Sequence, residues 1–190
     1  MPRLFLTLSF LFFSFTVQAQ TTVLVVYHSE TGNTAAMARA VAAGARSVHQ
    51  VEVFSKTTED VTQEDLLNAD AIIVGSPVYN ANVSPEISKF IASWPFDGQP
   101  LKNKIGAAFV TAGGLSSGEE LVQTSILQSM LVFGMIVVGG PDWTQPFGAS
   151  AITGEKPFQT NSPETIDDSF LEKGRNLGIR VAETALKLSR

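Results

Sequence analysis

Thr21-Thr22-Val23-Leu24-Val25-Val26-Tyr27-His28-Ser29-Glu30-Thr31-Gly32-Asn33-Thr34 decides the fold. Its first seven residues are mostly apolar and β-branched, the pattern of a strand buried on both faces. Ser29 to Thr34 are polar around one glycine, and after them Met37, Ala40, Val41 and Gly44 recur at helical spacing. A buried strand that turns through a polar loop into a helix begins a β-α unit. In open parallel sheets built from such units, ligands bind beyond the carboxyl ends of the strands.

Reading outward, the pattern repeats. Val51–Phe54, Ala71–Gly75, Ile105–Val110 and Met135–Val138 read as further strands. Thr62 and Asp65 have capping-box spacing ahead of Leu66 and Leu67. Ser84-Pro85-Glu86 reads as an N-cap with proline at the first helical position, leading a stripe of Ile87, Phe90, Ile91 and Trp94. A helix is expected over Glu119–Phe133. A last one is expected from Ser162-Pro163-Glu164 onward, with Gly174 and Gly178 letting it lie close to the sheet. Residues 139–161 hold no clear helix and read as a functional lid or partly extended chain. Five strands, each followed by a helix or connection, predict an α/β fold: a five-stranded parallel sheet with helices on both faces.

Composition narrows the function. The 190 residues carry a net charge of −5, the wrong sign for a nucleic-acid partner. With no Cys and two His, a thiolate metal site, an iron–sulfur cluster, a catalytic thiol and a His-rich metal centre are all excluded.

Residues 1–19 stand apart. Arg3 precedes a twelve-residue, largely apolar run, Leu4 to Phe15, and Val17-Gln18-Ala19 suits signal peptidase. The expectation is a signal peptide over 1–19 and one domain over 20–190. The product is periplasmic or secreted, with no stable membrane insertion after cleavage. The plainer alternative is an uncleaved anchor, for which the run is short.

Three loops carry the chemistry. In the first, Ser29, Glu30, Thr31, Gly32, Asn33 and Thr34 combine hydroxyls, an amide and the free N–H groups of a helix start, which suits an anion. It lacks Lys and Arg, and neither Gly-Lys-Ser/Thr nor Gly-x-Gly-x-x-Gly is present, which argues against a nucleoside-triphosphate hydrolase and a dinucleotide Rossmann site. The plainer reading is an ordinary N-cap. In the second loop, Pro77 sets the turn and Tyr79 offers a flat face for a planar ring, with Val78 and Asn80 on either side. The plainer reading is a rim or core tyrosine. In the third, Thr111, Ala112, Gly113, Gly114 and Gly118 let backbone amides approach a planar edge; the plainer reading is a flexible surface loop. Together the loops describe a site for a mononucleotide with a flat ring.

Ser29-Glu30-Thr31-Gly32-Asn33-Thr34 resembles the phosphate loop of flavodoxins. Other segments resemble the tryptophan-repressor-binding-protein A (WrbA) type of NAD(P)H:quinone oxidoreductase. These are Met37–Ala42, Gly75-Ser76-Pro77 with Asn82-Val83-Ser84, Gly113-Gly114 with Ser117–Glu120, Pro146–Ser150 and the final helix. The resemblance implies a flavodoxin-like fold, non-covalent FMN, NAD(P)H as donor and two-electron reduction of a quinone. By position it implies that Ser29, Thr31, Asn33 and Thr34 hold the FMN phosphate. Val78, Tyr79 and Asn80 would border the ring, and Thr111–Gly114 with Gly118 would meet its polar edge. Trp94 or Phe96 would line the substrate. No acid–base residue is nominated, because hydride transfer requires none. A homodimer or higher homo-oligomer is the assembly in keeping with the resemblance.

The chain also departs from that branch. Thr31 stands where the branch has an aromatic near the nicotinamide. Phe133-Gly134 stands where it has a His over the flavin, and the segment between strands two and three lacks an insertion associated with tetramers. Export is a further departure. Two other readings follow: a periplasmic flavodoxin-type carrier without its own NAD(P)H oxidation, and a binding module that kept the fold and lost FMN.

Overall fold

The computed structural model describes residues 20–189. The expected signal segment 1–19 lies outside them. One sheet carries strands β1 (Thr21–Tyr27), β2 (Val51–Thr57), β3 (Ala71–Tyr79), β4 (Asn82–Val83), β5 (Ile105–Ala112), β6 (Ile136–Val137) and β7 (Ala149–Ile152). Helices α1 (Asn33–Arg46), α2 (Gln63–Asn68), α3 (Pro85–Ala92), α4 (Glu119–Val132) and α5 (Asp168–Leu188) surround it. The strand order is β2-β1-β3-β5-β6, parallel throughout, with β4 paired antiparallel to β3 and β7 paired parallel to β5.

The expected fold class holds, and its details change in four places. The fifth strand is divided: β6 pairs with Ile105–Gly106, the chain leaves the sheet, and β7 returns beside Phe109–Ala112. Residues 139–161 are therefore partly extended, as one of the two readings had it. β4 was not foreseen; it arises because Asn80 (φ 52°) and Ala81 (φ 61°) both take the left-handed conformation and fold β3 back as a hairpin. Pro163–Thr165 forms only a short 3-10 turn, and α5 starts separately, where the Asp167 carboxylate accepts from the Ser169 N–H at 2.9 Å. Finally, Gly178 brings α5 close to α1 rather than to the sheet.

Two apolar cores flank the sheet. Val23, Val25, Ile73 and Phe109 face α1 and α5, whereas Leu24, Val26, Ile72 and Val110 face α2, α3 and α4. Alternate residues of each central strand thus feed opposite cores, which is why these strands read as continuous apolar runs. α2 is short and depends on its cap. Thr62 Oγ1 accepts from the Asp65 N–H, Asp65 accepts from the Thr62 N–H, and Lys56 Nζ lies 2.7 Å from Asp65. Burial alone would raise the Asp65 pKa. The hydrogen bonds from Lys56 and Thr62 outweigh it and hold the carboxyl below its usual value. A depressed carboxyl stabilises the fold above its unfolded pKa and loses that contribution as pH falls through the folded pKa. Asp65→Asn is therefore expected to cost about 1 kcal/mol at neutral pH. Urea titrations should show the gap between variant and wild type closing below about pH 4; a gap independent of pH would contradict this account.

Candidate functional site

The three loops meet beyond the carboxyl ends of β1, β3 and β5. Gly32 (φ +87°) caps α1 without a side-chain bond. The backbone N–H groups of residues 30–34 find no acceptor among the described residues. Ser29 Oγ accepts from the Ala35 N–H at 3.2 Å, so this hydroxyl also secures the first turn of α1. Donors aligned at the positive end of a helix are a fit for a phosphate.

The loops are tied to one another. Thr34 Oγ1 and Thr111 Oγ1 share a buried hydrogen bond of 2.7 Å, joining the first loop to the third. Both hydroxyls thus have a partner inside the protein. Glu30 lies beside the Tyr79 hydroxyl, joining the first loop to the second. Burial, the hydrogen bond with Glu30 and the charges of Glu30 and Glu86 raise the Tyr79 pKa, so the phenol stays a neutral donor. A Cβ on Gly118 (φ +109°) would lie 2.5 Å from Ala81 Cβ, so the hairpin tip after Tyr79 rests against the start of α4. Pro77 continues β3 opposite Thr111, Val78 packs against both cores, and Ser76 Oγ accepts from the Ser84 N–H at 3.0 Å.

The third loop contains the open space. A Cβ added at Gly113 would meet nothing within 4 Å. Ala112 ends β5, and Gly114 is held by Ser117 Oγ, which donates to its carbonyl at 2.7 Å. Free donors at the first loop, a flat phenol at the second and an unfilled glycine edge at the third are the parts a flavin mononucleotide requires. The fit is with FMN rather than a dinucleotide. Gly113→Val should accordingly leave unfolding free energy within about 1 kcal/mol of wild type, since a Cβ there meets nothing within 4 Å. It should also weaken FMN binding more than tenfold by filling the ring's space. An unchanged titration of FMN fluorescence would place the ring elsewhere.

The structure corrects the placement of Trp94 and Phe96. α3 starts beside the site and runs away from it for eight residues, roughly 12 Å at 1.5 Å per residue. Trp94 lies beyond its end, buried, with its ring edge-on to Phe90 at 5.6 Å and Phe133 at 5.2 Å. Phe96 packs on Phe133 at 5.7 Å. Trp94, Phe96 and Phe133 gather where α3 and α4 end, towards the end of the sheet opposite the loops, so within one chain they do not wall the site. Phe133, which stands where the resembled branch has a His over the flavin, is remote from the loops of its own chain for the same reason.

Two features escaped the sequence reading. His28, at the end of β1, has Nε2 3.3 Å from Glu86 Oε2. Glu155 Oε2 accepts from the Leu115 N–H at 2.8 Å. The first pair joins a residue adjoining the phosphate-type loop to the first turn of α3, and only the fold brings them together. The second spans 40 residues of sequence. Among the described residues there is no cluster suited to a metal ion and no helix long and apolar enough to cross a membrane.

Comparison with known proteins agrees with this geometry. A family model described as NADPH-dependent FMN reductase matches residues 21–149. The chain is 38% identical over 168 aligned residues to a flavodoxin of Aquifex aeolicus, covering 85% of each chain. It is 32% identical over 199 aligned residues to an NAD(P)H dehydrogenase (quinone) of Cupriavidus metallidurans, covering 87% of this chain and 98% of that one. A solved structure of a flavodoxin, WrbA-like protein from Agrobacterium tumefaciens superposes with a TM-score of 0.70 at 25% identity, covering 88% and 99%.

Proposed function

The chain belongs to the NADPH-dependent FMN reductase family, and on that premise we propose that it carries two electrons from NAD(P)H to a quinone. It is an FMN-dependent oxidoreductase of the NAD(P)H:quinone reductase type. The observation that carries this reading is the unfilled edge at Gly113 at the same end of the sheet as a first loop with unpaired N–H donors. Bound FMN supplies the electron-pair chemistry.

The chain's own residues bind and orient. The N–H groups of residues 30–34 with the Thr31 and Ser29 hydroxyls take the phosphate, and Asn33 adds an amide. Tyr79 flanks the ring as a neutral phenol, held by Glu30. Gly113 admits the polar edge. Leu115, 54% exposed on the same loop, offers an apolar surface to a flat acceptor. No residue has to move a proton to the ring for electron-pair transfer to proceed, so the remoteness of Phe133 removes no step.

The identity to a flavodoxin favours one other reading, a carrier that takes electrons from a protein partner. Anaerobic addition of NADH or NADPH to the FMN-loaded protein separates the two. Bleaching of the flavin absorbance, reversed by benzoquinone, is the expected outcome. If neither nicotinamide bleaches it, the carrier reading replaces this one. The export pattern in residues 1–19 supports a site of action outside the cytoplasm, with Gln20 expected as the first residue of the envelope-fraction protein by mass spectrometry.

A further inference from the structure

Residues 153–165 form a strap along the site. At one end the strap continues the β5–β7 pairing: the Thr153 N–H donates to the Ala112 carbonyl and the Gly154 N–H to the Gly113 carbonyl, both at 2.9 Å. Glu155 then places Oε2 2.8 Å from the Leu115 N–H. The same oxygen would lie 2.9 Å from a Cβ on Gly114, so the absence of a side chain there is what admits the carboxylate. Its backbone is fixed in turn, because the Phe158 N–H donates to the Glu155 carbonyl at 2.8 Å and Phe158 packs edge-on against Phe170 at 4.9 Å. At the far end, Pro163 Cγ lies 2.6 Å from where a Cβ on Gly32 would be. The strap therefore reaches from the third loop to the first.

The third loop needs such a restraint. Gly113 and Gly114 are adjacent, Ser116 is left-handed at φ 59°, and Gly118 is at φ +109°. Ser117 Oγ and the Glu119 carboxylate secure the later half of the loop. Ser117 Oγ reaches back to the Gly114 carbonyl, and the strap grips Gly113 and Leu115 on either side of it, where Gly113 stands open.

We infer that Glu155 is a positioning residue: its carboxylate fastens the Gly113–Leu115 turn in the conformation that receives the flavin's polar edge, and its charge disfavours the reduced cofactor. The inference rests on FMN occupying the crevice as proposed above. A reduced flavin carries added negative charge on its polar edge. A carboxylate fixed behind the loop that meets this edge opposes that charge by Coulomb repulsion.

The purified protein is compared with Glu155→Gln and Glu155→Ala. FMN affinity is read by fluorescence titration and the midpoint potential by spectroelectrochemistry. Glutamine keeps an oxygen for the Leu115 N–H but removes the charge. Its FMN affinity should stay within about threefold of wild type, while its potential rises by the equivalent of roughly three- to tenfold tighter binding of reduced FMN. Alanine removes the acceptor as well, and FMN affinity should fall about tenfold. Because Glu155 is exposed, both variants should melt with the wild type. An unchanged potential in Glu155→Gln overturns the electrostatic role, and an unchanged affinity in Glu155→Ala overturns the positioning role. Failure of the wild type to bind FMN would instead refute the functional reading, and this inference with it.

Discussion

Gly178→Ala is expected to destabilise the protein by about 3 kcal/mol, although it adds one methyl group to a helix. A Cβ at Gly178 would lie 2.0 Å from the Val41 carbonyl oxygen and 2.9 Å from the Ala45 nitrogen. Both are backbone atoms of α1, so no side chain can rotate away and the helices must separate. The contact is reciprocal: a Cβ at Gly44 of α1 would lie 1.9 Å from the Arg175 carbonyl oxygen of α5. Separating the helices also loosens the core beneath them, where Met37, Val41, Leu177 and Val181 are fully buried. Helix propensity works the other way, since alanine is better than glycine by roughly 1 kcal/mol. Gly174 therefore serves as the control. A Cβ there would meet only side-chain atoms, Ala40 Cβ at 3.3 Å and Met37 Cε at 3.4 Å, so Gly174→Ala should be close to neutral. Urea denaturation of both variants measures the difference. Equal midpoints for the two would mean that the α1–α5 contact is not the constraint described.

Riboflavin is expected to bind at least about 100-fold more weakly than FMN, because it lacks the group that the first loop serves. The N–H groups of residues 30–34 have no acceptor of their own, and a phosphate would take several of them at once. Hydrogen bonds to a charged group contribute roughly 1.5–3 kcal/mol each, so losing two or more accounts for the factor. Thr31→Val removes one donor of this set and should cost about tenfold in FMN affinity while leaving riboflavin unchanged. Since the loop has no Lys or Arg, the attraction is carried by short-range dipoles rather than by cations. FMN affinity should then vary little with sodium chloride. Comparable affinities for the two flavins, or a steep salt dependence, would show that the phosphate is held elsewhere.

The parts of this structure that were legible in the sequence are those set by local chemistry. Val23–Val26 and Ala71–Val74 read as buried strands because each alternates between two apolar cores. The Thr62–Asp65 capping box was legible because both of its bonds lie within four residues of chain. β7 was missed because Ala149-Ser150-Ala151-Ile152 has little β-branched character, and only pairing with Phe109–Ala112 makes it a strand. Trp94 and Phe96 were assigned to the substrate by resemblance alone, and a resemblance in position along the chain does not report that α3 carries them away from the loops of the same chain. Glu155 could not be recognised at all. A single acid in a polar loop carries no signal, and its role depends on a partner 40 residues earlier.

The embrace of α1 by α5 also dictates when the molecule can fold. The surface of α1 that carries Met37, Val41 and Gly44 is covered by residues near the end of the chain, among them Gly174, Leu177 and Gly178. While the chain is being synthesised, that surface has nothing to close upon until α5 has emerged. β1, the first strand, lies between β2 and β3 and likewise waits for its neighbours. Native structure around α1 is thus deferred until α5 has been made, as expected for a topology rich in distant contacts.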